Sequence, residues 1–80
     1  MMRVSVTYFA ILREQRGLAQ ETLGAEGKTL RDLFRHLRAR HGFSLDETRV
    51  RVALNEQFAD WDAPVPDGGR VAFLPPASGG

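Results

Sequence analysis

The sequence predicts an α+β domain in which one main helix packs across a mixed sheet. Three observations carry this reading. Short stretches of strict apolar–polar alternation stand near both ends of the chain and in its second half. A single segment, Thr29 to His41, has helical periodicity over several turns. The chain has 80 residues, enough for one compact core and too few for two.

The elements follow in order. Val4, Val6 and Tyr8 alternate with Arg3, Ser5 and Thr7, the period-2 pattern of a half-buried strand. From Phe9 the pattern tightens into Phe9-Ala10-Ile11-Leu12-Arg13-Glu14, a short helical turn closed by Gly17. Leu18 to Leu23 carries Gln20, Glu21 and Thr22, which is polar for a strand and suits a sheet edge bounded by Gly24 and Gly27. Thr29 and Asp32 are spaced as a capping box. Leu30, Leu33, Phe34 and Leu37 then form one apolar stripe, Gly42 ends the helix, and Phe43 is placed to fold back over its last turn. Val50, Val52 and Leu54 alternate with Arg49, Arg51 and Ala53 as the next strand. Asn55-Glu56 reads as a turn, and Phe58 starts a short return strand. Pro64 and Pro66 impose an irregular connection, Asp67-Gly68-Gly69 a tight turn, and Arg70 to Leu74 the last strand, with Val71 and Phe73 on one face.

Composition narrows the function. Hydrophobic residues are 42% and charged residues 26% of the chain, which fits a globular domain. Cysteine is absent, so disulfides, thiolate metal sites and a catalytic or persulfide-carrying cysteine on this chain are excluded. His36 and His41 read as surface and helix-end residues. Asp60-Trp61-Asp62 offers two carboxylates in a proline-bounded loop, read as loop with Trp61 packing, and no metal is expected. The formal net charge is +1. Arg31, Arg35, Arg38 and Arg40 lie on the helix with Asp32 among them and read as a solvated face, so no nucleic-acid partner is expected. The longest apolar run, Tyr8 to Leu12, is five residues. It is far too short for a membrane span, and the alternating start is unlike a signal peptide. A cytoplasmic location without membrane partners is the expectation.

The end of the sequence stands apart. Pro75-Pro76-Ala77-Ser78-Gly79-Gly80 carries neither a charged side chain nor a large apolar one. The prolines hold its start extended, and the glycines leave its end bare. Such a segment can be a frayed terminus. It is equally suited to entering a narrow tunnel in another protein, with the Gly80 carbonyl carbon open to attack. Elsewhere the sequence shows no nucleophile–base pair, metal cluster, phosphate-cradling glycine loop or aromatic groove. A free carboxylate is a poor electrophile and needs activation, for example as an acyl-adenylate. It can then accept sulfur as a thiocarboxylate or be joined to an amine.

Three blocks spanning almost the whole chain resemble the small subunits of molybdopterin synthase, sulfur carriers with the ubiquitin-like β-grasp fold. They are Val4 to Glu14, with Phe9-Ala10-Ile11-Leu12-Arg13-Glu14; Val52-Ala53-Leu54-Asn55-Glu56; and Asp67-Gly68 followed by Val71 to Gly80. The resemblance implies a β-grasp domain over residues 1–74, with a four- to five-stranded mixed sheet, and a functional tail over 75–80. It implies that Gly80 is adenylated by an E1-like enzyme using ATP, thiocarboxylated, and delivered to a large synthase subunit to build the molybdopterin dithiolene. It further implies a heterotetrameric synthase, catalytic residues on the large subunit, and no cofactor bound by this chain. Gly79, Ser78, Ala77, Pro76 and Pro75 would line the partner's channel, with Leu74 and Phe73 as candidate docking residues beside it. Alternation assigns Phe73 to the core and leaves Leu74 as the favoured contact. Gly69 replaces an acidic residue common in the family and is expected to loosen its turn. Ala77 replaces a valine and is expected to weaken one partner contact.

Three other readings use the same tail. One is a sulfur carrier for thiamine, tRNA thiolation or cysteine synthesis, although Leu12-Arg13-Glu14 argues against the thiamine carriers. Another is a ubiquitin-like modifier joined to lysines of target proteins. The last is an interaction module with an inert tail.

Overall fold

The computed structural model describes residues 3–25 and 28–76. Strand β1 (Arg3–Tyr8) leads into helix α1 (Ala10–Arg16), followed by β2 (Gln20–Gly24) and the main helix α2 (Leu30–His41). A 3₁₀ turn (Glu47–Arg49) precedes β3 (Arg51–Leu54), β4 (Gln57–Phe58) and β5 (Arg70–Leu74). The sheet order is β2-β1-β5-β3-β4. β1 and β5 run parallel, and every other pairing is antiparallel. This is the β-grasp architecture: two hairpin-like arms joined through a parallel central pair, with one helix across a face.

Alternation decides which face the helix covers. Val4, Val6 and Tyr8 of β1, Val52 of β3, and Val71 and Phe73 of β5 point to one side and are buried. They meet Leu30, Leu33, Phe34 and Leu37, the stripe of α2. Each such side chain contributes about 1.5–3 kcal/mol of burial. Apart from Tyr8, no side chain that bears a polar group is buried among the described residues.

The capping box of α2 forms as expected, with Asp32 N–H donating to the Thr29 hydroxyl and Thr29 N–H to the Asp32 carboxylate. The loop after β4 supplies further acceptors. Leu30 N–H donates to the Ala63 carbonyl and Arg31 N–H to the Trp61 carbonyl, which satisfies helix donors that have no intrahelical partner. Val65 of the same loop is buried although two prolines flank it. At the other end Gly42 takes the left-handed conformation (φ 72°), and Phe43 folds back into the core. The arginines of α2 are largely engaged: Arg31 with Asp62 and Glu47, Arg35 with Glu47, and Arg38 with the Phe43 carbonyl.

Several expectations need adjustment. The segment around Arg49 is helical before it is extended, because Asp46 caps the 3₁₀ turn by accepting from Thr48 N–H. Val50 is nevertheless extended and buried, so the predicted alternation holds while the ladder starts two residues later. Leu18 lies outside the edge strand and is exposed, since β2 begins at Gln20. Gly69 corrects a further expectation. It is buried, and a Cβ there would lie 2.8 Å from Pro66 Cγ and 3.1 Å from the Pro66 carbonyl oxygen. The glycine therefore lets the turn close tightly on Pro66 instead of loosening it.

Candidate functional site at the root of the tail

β5 is the central strand of the sheet, so the chain leaves the domain from its most constrained element. Phe73 lies beside Tyr8 on one side and Val52 on the other; Leu74 lies opposite Arg51. The alternation separates the two residues. Phe73 is 0% exposed, its ring 5.0 Å from Phe34, 6.0 Å from Trp61 in a stacked arrangement, and 6.3 Å from Tyr8. The expectation that Phe73 is a docking residue is thereby corrected: the side chain is an aromatic core residue and cannot reach a partner without opening the core. Leu74 is half-buried on the opposite side, followed by Pro75 and Pro76 at the surface. Ala77, Ser78, Gly79 and Gly80 lie outside the described residues.

Tyr8 anchors this end of the strand pair through a polar contact at the edge of the core. Its hydroxyl donates to Glu21 Oε2 at 2.7 Å, and Arg16 Nε and Nη2 donate to the same carboxylate, each at 2.7 Å. The Arg16 fork, supported by the Tyr8 hydroxyl, outweighs desolvation and holds Glu21 down to about 2. Burial, followed by the hydrogen bond to Glu21, pushes the Tyr8 hydroxyl far above its ordinary range. The phenol therefore stays protonated and serves as a fixed donor.

The face of the sheet opposite α2 is open. Thr7, Ala72 and Ala53 form a row across β1, β5 and β3, extended by Phe58 of β4. Small side chains leave the backbone accessible there, between two exposed aromatic residues, Phe9 (43%) and Phe58 (62%). A groove of about 510 Å³ runs between the Thr48–Arg51 segment and Phe58, Leu74, Pro75 and Pro76. The Arg51 guanidinium lies 4.0 Å from the centroid of the Phe58 ring, a cation–π contact. The Asn55-Glu56 turn secures this corner, since Asn55 N–H donates to the Arg70 carbonyl and Arg70 N–H to Asn55 Oδ1.

Phe9, Phe58 and Arg51 were not singled out from the sequence as site residues. A signal existed, because the positions facing away from Val52 include Arg51 and Ala53, and the Asn55-Glu56 turn returns Phe58 opposite Ala53. Among the described residues there is no cluster of three or more metal-ligating side chains, and no helix is long and apolar enough to cross a membrane.

The strand order, the helix across one face and the tail issuing from the central strand define a ubiquitin-like β-grasp protein. A protein-family model described as the ThiS family matches residues 6–80. The chain belongs to that family. It is 32% identical to the molybdopterin synthase sulfur carrier subunit of Escherichia coli strain K12, covering 96% of this chain and 99% of that one. A Pyrococcus furiosus structure provisionally named molybdopterin converting factor, subunit 1, superposes with a TM-score of 0.81 at 32% identity, over 96% of this chain and 100% of that chain. A Helicobacter pylori complex of subunits 1 and 2 of molybdopterin-converting factor matches with a TM-score of 0.69 and 26% identity, over 99% and 100% of the two chains. The fold likeness extends to SAMP1 of Haloferax volcanii, at a TM-score of 0.76 and 24% identity over 98% and 99%.

Proposed function

We propose that this chain is the sulfur-carrier subunit of a molybdopterin synthase, acting through Gly80. The near full-length similarity to the E. coli sulfur carrier subunit carries the reading. The central strand supports it, because β5 ends in a rigid Phe73 anchor followed by Pro75 and Pro76 and then small residues. In the proposed cycle the Gly80 carboxylate attacks the α-phosphorus of ATP on an E1-like partner, and pyrophosphate leaves. A sulfur nucleophile then attacks the acyl carbon and displaces AMP, which leaves a thiocarboxylate. The tail enters the large synthase subunit, and its sulfur passes to cyclic pyranopterin monophosphate to build the dithiolene. Hydrolysis returns the carboxylate. The catalytic residues belong to the partners, with two small subunits on a dimer of large ones. ATP is the activating enzyme's substrate, this chain holds no cofactor, and the cycle runs in the cytoplasm.

The test is the intact mass of the chain after incubation with an E1-like enzyme, ATP and a sulfur donor. The expected result is a mass gain equal to exchange of one oxygen for sulfur, absent when Gly80 is deleted. Gly80 found instead in isopeptide linkage to lysines of other proteins would replace this reading with that of a protein modifier.

A further inference from the structure

Four residues follow Pro76 up to and including Gly80, and they span at most about 14 Å when fully extended. If Gly80 is the reacting end, as proposed above, the partner's reactive centre lies within that distance of Pro76. The partner surface around its channel must then cover the groove beside the tail root. Two arginines stand there. Val50 is extended and buried, so Arg49 and Arg51 on either side of it project away from the core. Both are exposed and line the groove with Phe58 and Leu74. Neither guanidinium is in an ion pair with a described residue, in contrast to Arg16, Arg31, Arg35 and Arg70. The two carboxylates just before them in sequence have other partners. Glu47 takes Arg31 and Arg35, and Asp46 caps Thr48. Arg51 lies over one face of the Phe58 ring, and Phe58 is still 62% exposed.

We propose that this groove docks an acidic segment of the large synthase subunit, in which carboxylates meet Arg49 and Arg51 and an apolar side chain covers Phe58 and Leu74. Two cations covered by a partner without carboxylates would be desolvated and unpaired, which is costly. Carboxylates there instead form charge-assisted, fork-like pairs and fix the register in which the tail is inserted. The inference rests on the sulfur-carrier reading and adds the chemistry of the docking surface.

The experiment is calorimetric titration of the full chain with the large synthase subunit encoded by the same genome, between 50 and 500 mM salt. Three chains are compared: wild type, the double variant Arg49→Glu/Arg51→Glu, and Arg40→Glu on the exposed side of α2. Circular dichroism checks that each is folded. The double variant is expected to bind at least about 10-fold more weakly at low salt and to reverse the salt dependence, since like charges facing each other repel and salt screens that repulsion. Arg40→Glu is expected to bind as wild type does. Thiocarboxylation of the double variant by the E1-like enzyme is expected to proceed. Wild-type binding that charge reversal leaves unchanged would overturn the acidic-segment proposal alone. Reversal that blocks thiocarboxylation and spares binding would assign the groove to the activating enzyme and overturn it too. A wild-type chain that does not bind the large subunit would overturn both this proposal and the carrier reading.

Discussion

The two faces of the sheet are built from the same strands and do different work. On the face under α2, Val4, Val6, Tyr8, Val52, Val71 and Phe73 close a core that includes Phe34, Phe43 and the partly buried Trp61. On the open face, one residue along each strand, stand Thr7, Ala53, Ala72 and Leu74, flanked by Phe9 and Phe58. Phe73 and Leu74 mark the division most clearly, as neighbours in sequence on opposite sides of β5. Period-2 geometry lets the last strand anchor the domain on one face and carry the proposed contact residue on the other without either role compromising the other.

The largest expected effect breaks the covered face. Phe73→Ala should destabilise the domain by about 3–5 kcal/mol, measured by chemical unfolding. Leu74→Ala, by contrast, should cost under about 1 kcal/mol and weaken partner binding. A similar loss of stability in both would dissolve the distinction.

The Tyr8–Glu21–Arg16 contact comes next. Glu21→Gln should cost about 2 kcal/mol at neutral pH, because a charge-assisted acceptor is lost. The sign with pH follows from the lowered carboxylate. Its contribution is present above its ordinary value of 4.5 and fades as the pH falls toward about 2. The stability gap between wild type and Glu21→Gln should therefore shrink across that window in acid unfolding experiments.

Smaller effects concern local geometry. Thr29→Ala removes the side-chain cap of α2 and should cost about 1 kcal/mol in thermal unfolding. Asn55 and Glu56 take positive φ values of 51° and 73°, the pattern of a two-residue hairpin turn that prefers Asn-Gly. Glu56→Gly should raise stability by about 0.5–1 kcal/mol, because glycine takes φ 73° without the Cβ strain that glutamate carries there.

Much of this was legible in the residues. The strands, the capping box, the Gly17 and Gly42 stops and the burial of Phe73 follow from local pattern, which depends on neighbours three or four positions away. The strand order does not. The parallel pairing of β1 with β5 joins residues more than sixty positions apart, and only the resemblance implied it. The Tyr8–Glu21–Arg16 contact was missed because a glutamate in a strand reads locally as a solvent-facing edge residue. The burial of Val65 was hidden by its flanking prolines, and the exposure of Phe58 by a strand of only two residues. The tail motif of the candidate site stood out in the residues alone, with Ala77 to Gly80 outside the described residues, while the groove beside its root needed the fold.

The most direct test of the carrier account follows the sulfur out of the chain. The thiocarboxylated protein is mixed with the large subunit and cyclic pyranopterin monophosphate, and its intact mass is followed with time. The account predicts return to the carboxylate mass only when both are present, together with formation of the dithiolene product. A chain that keeps its sulfur under those conditions would contradict it.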